Sequence, residues 1–290
     1  MPVQRDQKTV TISLPSGARA TIHLFGAHVT SWLTPDGKER LYLSSKSTLE
    51  GPFAPNVFGG PTPDEVSAEP VLEANQAIAK EGHAFVRTRV WELIDTSETS
   101  DQVSVIFALD PSTYPEPYPK AIRLTYVVTL TPESLTTSLK AQNPSNSGVA
   151  AGMKLFYHNY MKVSDGQKVQ VKGLKEGTKF KDTQKGGEVG SWEGGSIGMG
   201  EKLGKIFSNA VTPDGFVTDD GSDSIRVTSS SLRDCFMWNP QDNCGKSAWA
   251  DMEPGDGNKF AGVHPGALDK WTILSPGEEF VGDQTLTLVH

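Results

Sequence analysis

The chain is poor in cysteine, in basic residues and in long apolar runs, and each shortage excludes a class of protein. Its 2 cysteines, Cys235 and Cys244, are too few for a disulfide framework and have no ligand-like spacing with histidines, so we expect reduced thiols. Lys and Arg number 27 against 35 Asp and Glu, and the net charge of -8 argues against a nucleic-acid partner, which requires clustered cations.

The chain also shows no sign of a membrane segment. No stretch approaches the ~20 apolar residues of a membrane-spanning helix. Residues 1–10 are polar and lack the apolar core of a signal peptide. We therefore expect a cytoplasmic protein without a membrane partner.

Short alternating runs of apolar and polar residues, each closed by a turn, recur along the sequence. The 29 glycines and 19 prolines supply the turns between them. Such spacing predicts an all-β fold, a large antiparallel β-sandwich with at most one or two short helices. The predicted strands cover residues 10–14, 18–24, 103–109, 122–130, 135–141, 169–171, 225–228 and 285–289.

One segment, residues 66–80, has a helical pattern, with Pro70 in its first turn. Residues 186–200 are rich in glycine and are predicted to form a long loop between strands. No Gly-rich linker or charge block marks a boundary, so we expect a single domain over residues 1–290.

Two histidines lie in unusual local sequences. His158 stands in K-L-F-Y-H-N-Y (154–160), which is predicted to be mid-strand, and His264 stands in F-A-G-V-H-P-G (260–266). A lone histidine among apolar residues is more often a hydrogen-bonded core residue than a catalytic one. His83, within residues 81–87, has the same two interpretations.

Several further segments occur in an order that is typical of one family. They are F-G-A-H-V-T-S-W (25–32), H-A-F-V-R-T-R-V-W (83–91), W-N-P (238–240), D-M (251–252) and L-S-P-G (274–277). Together with the two histidine segments they resemble the aldose 1-epimerase superfamily, nearest its glucose-6-phosphate 1-epimerase branch. The resemblance spans nearly the whole chain and implies the galactose mutarotase-like β-sandwich.

The resemblance also implies a reaction and its residues. In that family a base removes the proton of the anomeric hydroxyl while an acid protonates the ring oxygen, and no cofactor or metal is needed. His158 matches the acid in a segment like L-F-H-T-Y-F. His83 and Arg87 match residues that hold the substrate, and Trp238 is a further substrate-binding candidate. The expected partner is a small molecule, a sugar or a hydroxy-carbonyl compound, and the family-like assembly is a monomer.

Four departures from the family pattern stand out, and the smallest is Gln241, which replaces the tryptophan that often follows W-N-P. His264 stands where a segment like C-V-E-P-G has the base glutamate. Phe58 stands where an R-G-G-x-P segment has an arginine, which exchanges a bidentate phosphate contact for an apolar wall. Lys205 follows Gly204 where the family has D-R, so the aspartate is absent and Lys205 keeps only the positive charge.

These departures leave three functions open. The first, which we favour, is a divergent isomerase that uses His158 and His264 at a hemiacetal or an enolisable carbonyl. It would not be specific for a hexose phosphate, and its substrate could be a non-sugar compound of secondary metabolism. The second is a carbohydrate-binding pseudoenzyme. The third is a true glucose-6-phosphate 1-epimerase, which would need a basic cluster around Arg87 and Lys205.

Overall fold

Many of the strands alternate between buried and more exposed residues, as the sequence predicts. In a computed structural model that describes residues 2–49, 63–64, 85–116, 118–246 and 249–290, the strand Arg123–Leu130 alternates between buried and more exposed side chains along its whole length. Its apolar side chains point to one face, as the two-residue period of a strand requires. Each run predicted from alternation coincides with an observed strand to within a few residues.

The described residues form twenty-one strands, numbered in chain order. They are β1 Val3–Arg5, β2 Thr9–Ser13, β3 Arg19–His23, β4 His28–Leu33, β5 Pro63–Asp64, β6 Glu92–Glu98, β7 Val103–Leu109, β8 Arg123–Leu130, β9 Ser134–Gln142, β10 Ala151–Tyr157, β11 Tyr160–Lys162, β12 Gln170–Lys172, β13 Lys179–Asp182, β14 Glu188–Ser191, β15 Ile197–Gly198, β16 Leu203–Phe207, β17 Phe216–Asp219, β18 Ser224–Thr228, β19 Asp234–Asn239, β20 Phe260–Leu274 and β21 Glu279–Val289. Short 3-10 helices occupy Phe85–Thr88, Pro111–Thr113, Thr183–Lys185, Gln241–Asn243 and Asp256–Asn258.

These strands form three antiparallel sheets. A 4-stranded sheet has the order β1-β2-β3-β4. An 8-stranded sheet has the order β14-β13-β16-β19-β20-β10-β5, with β11 paired to β20. A 9-stranded sheet has the order β15-β12-β17-β18-β21-β9-β8-β7-β6. The arrangement is the antiparallel sandwich expected from the sequence.

The two large sheets pack face to face through β10 and β21. A Cβ atom on Gly282 of β21 would lie 2.2 Å from the side chain of Leu155, so only glycine allows this close approach. Beside it, the hydroxyl of Tyr157 on β10 donates to the Gly282 carbonyl at 2.6 Å and accepts from the Leu139 amide at 2.8 Å. The core is therefore apolar with a buried polar link between its sheets.

The loop expected over residues 186–200 needs correction, and two further expectations remain predictions. Residues 186–200 are not a continuous loop, because β14 and β15 lie within them and pair with β13 and β12. Their glycines bend the chain between two short edge strands. The helix expected over residues 66–80 lies outside the described residues, and a single domain stays a prediction. In the part of the chain that is described, no helix is long and apolar enough to cross a membrane.

Candidate active site

His264 lies in the middle of β20, the strand that joins the two halves of the 8-stranded sheet. The register places His264 opposite Phe236 and places Gly262, two residues away, opposite Trp238. A Cβ atom on Gly262 would lie 2.3 Å from the Trp238 oxygen and 2.8 Å from Nε2 of His264. The glycine therefore leaves the space that the fully buried imidazole ring occupies.

His158 lies between two strands rather than within one, which corrects the mid-strand prediction. β10 ends at Tyr157 and β11 begins at Tyr160, and both pair with β20. The interruption turns the His158 ring toward His264, and the two ring centroids are 5.4 Å apart. Two histidines that are 106 positions apart in sequence thus face each other because β20 pairs on both sides of His158.

Two main-chain groups reach Nδ1 of His264. The Asn159 amide donates toward Nδ1 at 2.8 Å, and the Tyr157 carbonyl oxygen is 2.9 Å from the same atom. An imidazole nitrogen either carries a proton or accepts one, so each tautomer of His264 satisfies one of the two groups. When Nδ1 donates to the Tyr157 carbonyl, Nε2 has a lone pair and can accept a proton.

Aromatic side chains surround the histidine pair. The Tyr160 hydroxyl is 3.3 Å from Nδ1 of His158, and the Phe156 ring centroid is 4.5 Å from that of His158. Trp238 packs edge-on against Tyr160 at 5.8 Å, on the same sheet face as His264. A hydroxyl can donate to a neutral imidazole or accept from a protonated one, so Tyr160 can hold His158 in either state.

Arg87 interacts electrostatically with both His28 and Asp251, and His28 also interacts with His158. The pKa of buried His28 is lowered to about 3, mainly because burial disfavours its cation and further because His23, Arg87 and His158 are nearby. Burial raises the pKa of Asp251 to about 6, and Arg87 partly opposes that rise. Neutral His28 therefore lies near both Arg87 and His158, and a half-buried carboxyl lies near Arg87.

The aldose 1-epimerase family model matches residues 8–287 of the sequence. This chain belongs to the aldose 1-epimerase family. A Cenchrus ciliaris protein named "Putative glucose-6-phosphate 1-epimerase" is 29% identical over 284 residues, which cover 94% of this chain and 83% of that protein.

Two crystal structures show that this aldose 1-epimerase family member has the mutarotase fold. A "putative mutarotase" from Salmonella typhimurium superposes with a TM-score of 0.79 at 21% identity, covering 99% of this chain and 92% of that one. Galactose 1-epimerase from Lactobacillus acidophilus superposes with a TM-score of 0.68 at 12% identity, covering 99% and 96%. The galactose mutarotase-like β-sandwich predicted from the sequence is thereby confirmed.

Lys205 lies on the opposite face of the sheet from His264 in this family member. Lys205 pairs with Met237, and Met237 pairs with Val263, the neighbour of His264. Directly opposed residues share a face and successive residues alternate, so Lys205 and His264 point to opposite sides. The Lys205 ammonium is 3.2 Å from Asp182 and 3.8 Å from the centre of the Phe180 ring. The structure does not bring Lys205 to the histidine pair.

Gly204, which takes the place of the family's aspartate, shares a face with Trp238 and therefore with His264. A Cβ atom on Gly204 would lie 2.5 Å from the Thr183 hydroxyl oxygen and 2.6 Å from Nε2 of Gln184. The 3-10 helix Thr183–Lys185 thus fills the volume that an aspartate side chain would need. An amide group stands beside Trp238 instead of a carboxylate.

The site candidates that remain to be placed are His83 and Phe58. His83 and Phe58 lie outside the described residues, so their substrate-binding roles stay predictions. Trp192, in the glycine-rich segment 186–200, packs on the core edge-on to Phe207. Within the described ranges, no group of three His, Cys, Asp or Glu side chains could hold a metal ion.

The site candidates drawn from the sequence did not include His28 or Asp251. A signal was available for both residues, since each lies in a segment that carries the family resemblance. The resemblance gives no distances among residues 28, 87, 158 and 251, because these residues come from four separate parts of the fold.

Proposed function

We propose that this protein interconverts the anomers of an aldose, with His264 as general base and His158 as general acid. The observation that carries the proposal is the 5.4 Å separation of the two imidazole rings at a break in the central sheet. Two proton-transfer groups on one site are what ring opening at a hemiacetal requires. The proposal follows the family to which the chain belongs and replaces the family's base carboxylate with an imidazole.

His264 acts first, through Nε2. Nε2 takes the proton of the anomeric O1 hydroxyl, the O1 electron pair forms the C1=O1 bond, and the bond from C1 to the ring oxygen breaks. The resulting imidazolium keeps its Nδ1 proton on the Tyr157 carbonyl, 2.9 Å away. A neutral carbonyl dipole thus supports the charged base in the way that a carboxylate orients a catalytic histidine.

His158 completes the ring opening. As an imidazolium it gives its proton to the ring oxygen as that bond breaks, and it becomes neutral. The aldehyde then rotates about C1–C2, and the reverse transfers close the ring on the other face of C1. In each state one histidine of the pair is charged and the other is neutral, so the two rings never carry adjacent positive charges.

The surrounding residues favour an uncharged sugar. Arg87 has its charge partly opposed by Asp251, and Lys205 is held by Asp182 on the other sheet face. A hexose phosphate would need several cations around its phosphate group. Arg87 and Asp251 are instead suited to hydroxyl groups, and a substrate-binding role for the buried Trp238 stays a prediction.

Saturation-transfer NMR tests the proposal directly, with glucose, galactose and glucose 6-phosphate as substrates. We expect the native protein to accelerate anomer exchange of an unphosphorylated hexose, and His158→Ala and His264→Gln each to lower that rate by about 100-fold or more. His290→Ala, at the exposed terminus, is the matched control and should keep the native rate. A native rate equal to the buffer rate for all three sugars would contradict the proposal. Selective acceleration of glucose 6-phosphate would refute the preference for an uncharged substrate.

A further inference from the structure

A buried pair of amide side chains links the histidine site to the facing sheet. Asn159 follows His158, and Gln284 lies on β21 of the 9-stranded sheet; both are fully buried. The Asn159 Nδ2 atom donates to Oε1 of Gln284 at 2.6 Å, and Nε2 of Gln284 donates to Oδ1 of Asn159 at 2.8 Å. Each amide therefore gives and receives one hydrogen bond.

The direction of these bonds is determined by the strand that carries His264. Nδ2 of Asn159 also donates to the main-chain oxygen of Val263, at 2.8 Å. A carbonyl oxygen only accepts, so it requires the amino group of Asn159 to face it. That choice in turn fixes the orientation of the Gln284 amide. The pair is thus locked against Val263, the residue next to His264.

Asn159 also contacts Nδ1 of the His264 ring. The main-chain amide of Asn159 is aimed at Nδ1 of His264 at 2.8 Å, in competition with the Tyr157 carbonyl at 2.9 Å. If Nδ1 accepts a hydrogen bond from the Asn159 amide, the imidazole proton is on Nε2. In that tautomer Nε2 cannot accept a proton from the substrate. If the carbonyl prevails, Nε2 has a lone pair and can accept a proton. The exact position of Asn159 therefore affects the tautomer of His264.

We propose that Gln284 is a positioning residue that, through Asn159, sets the tautomer of His264. This inference rests on the proposed function for its catalytic meaning, but the tautomer itself is a separate observable. Asn159 stands where the resembling family segment has threonine, and His264 stands where that family has glutamate. The two departures are in contact, and Gln284 ties them to the opposite sheet.

The test is the imidazole nitrogen spectrum of His264 in the full chain, assigned by comparison with His264→Gln. Gln284→Met keeps the side-chain length and removes both amide hydrogen bonds. We expect the tautomer ratio of His264 to change by about twofold to tenfold, the range for one hydrogen bond. Thr137→Val is the control, because Thr137 is buried and pairs with Gln284 across β9 and β21 without a hydrogen bond to Asn159.

The outcomes separate the inference from the function. A shift in Gln284→Met that is absent in Thr137→Val supports the positioning role. Unchanged His264 signals in a folded Gln284→Met protein would overturn it. If that variant does not fold, Gln284→Glu provides the same comparison, since it keeps the acceptor for Asn159 and loses the donor. Failure of the native protein to accelerate anomer exchange would count against the proposed function alone.

Discussion

The Nδ1 atom of His264 lies 2.9 Å from the main-chain oxygen of Tyr157, the residue just before His158. Because this oxygen belongs to the strand that leads into His158, the two histidines are positioned by one short segment. In the proposed mechanism, this contact gives the neutral imidazole the partner that it needs to serve as a base.

Gly262 is expected to be essential for the position of His264. In Gly262→Ala the new methyl group would overlap the Trp238 oxygen and Nε2 of His264. We expect a loss of about 1–3 kcal/mol in the free energy of unfolding, as for other overpacked sites, and a fall in kcat of about 10-fold or more from ring displacement. Urea unfolding and anomer-exchange kinetics measure the two effects.

Gly198→Ala is the matched control for that experiment. Gly198 is also a strand glycine. A Cβ atom on it would lie 3.6 Å from Nε2 of Gln170, which is an ordinary contact distance. Equal effects of the two substitutions on kcat would contradict the special role of Gly262.

Lys205 and Arg87 should differ in their effect on activity. Lys205→Met removes the contacts with Asp182 and Phe180 on the sheet face opposite His264, so we expect a stability loss of about 1 kcal/mol and a kcat/KM within about twofold of native. Arg87→Met removes a charge that reaches both His28 and Asp251 and should lower kcat/KM by about 10-fold or more. A larger loss in Lys205→Met than in Arg87→Met would place the substrate on the other face.

His28 should make the fold sensitive to acid. Its pKa is lowered to about 3 in the native state from 6.5, chiefly by burial. The unfolded chain therefore binds the proton more tightly, and the contribution of His28 to stability is present above pH 6.5 and is lost as the pH falls toward 3. Between pH 6.5 and 4 this amounts to on the order of 3 kcal/mol.

Urea unfolding across that pH range checks the effect. In His28→Asn the fall in the free energy of unfolding should be smaller, whereas in His290→Asn, at the exposed terminus, it should equal the native fall. A native-like acid response in His28→Asn would show that other groups cause it.

Asp251 should give the opposite dependence of stability on pH. Burial raises its pKa from 3.8 to about 6, so its favourable contribution is present below pH 3.8 and is lost as the pH rises through 6. Asp251→Asn should therefore raise the free energy of unfolding at pH 7.5 by about 1 kcal/mol, a value reduced because the carboxyl is half exposed to solvent. The gain should disappear near pH 4, and Asp214→Asn, at an exposed loop position, should show no such pH dependence.

The strands were predictable because burial on one face of a sheet imposes a two-residue period on the sequence. The pairing of His158 with His264 was predictable from the family resemblance alone, since a distance across 106 positions depends on which strands are neighbours. The face of Lys205 depends on register, where a shift of one residue reverses the side chain. The pKa values of His28 and Asp251 depend on burial by distant segments, which no local pattern encodes.

The pH dependence of kcat/KM in native protein and in His264→Glu tests most directly whether an imidazole is the base. An imidazole base loses activity as it is protonated near its ordinary pKa of about 6.5, whereas a glutamate base remains ionised to about 4.3. If His264 is the base, the acid limb of the profile should change its position in the active His264→Glu variant, because the group that titrates has changed. An acid limb that stays in place, or a native rate that survives His264→Gln, would show that another group removes the proton.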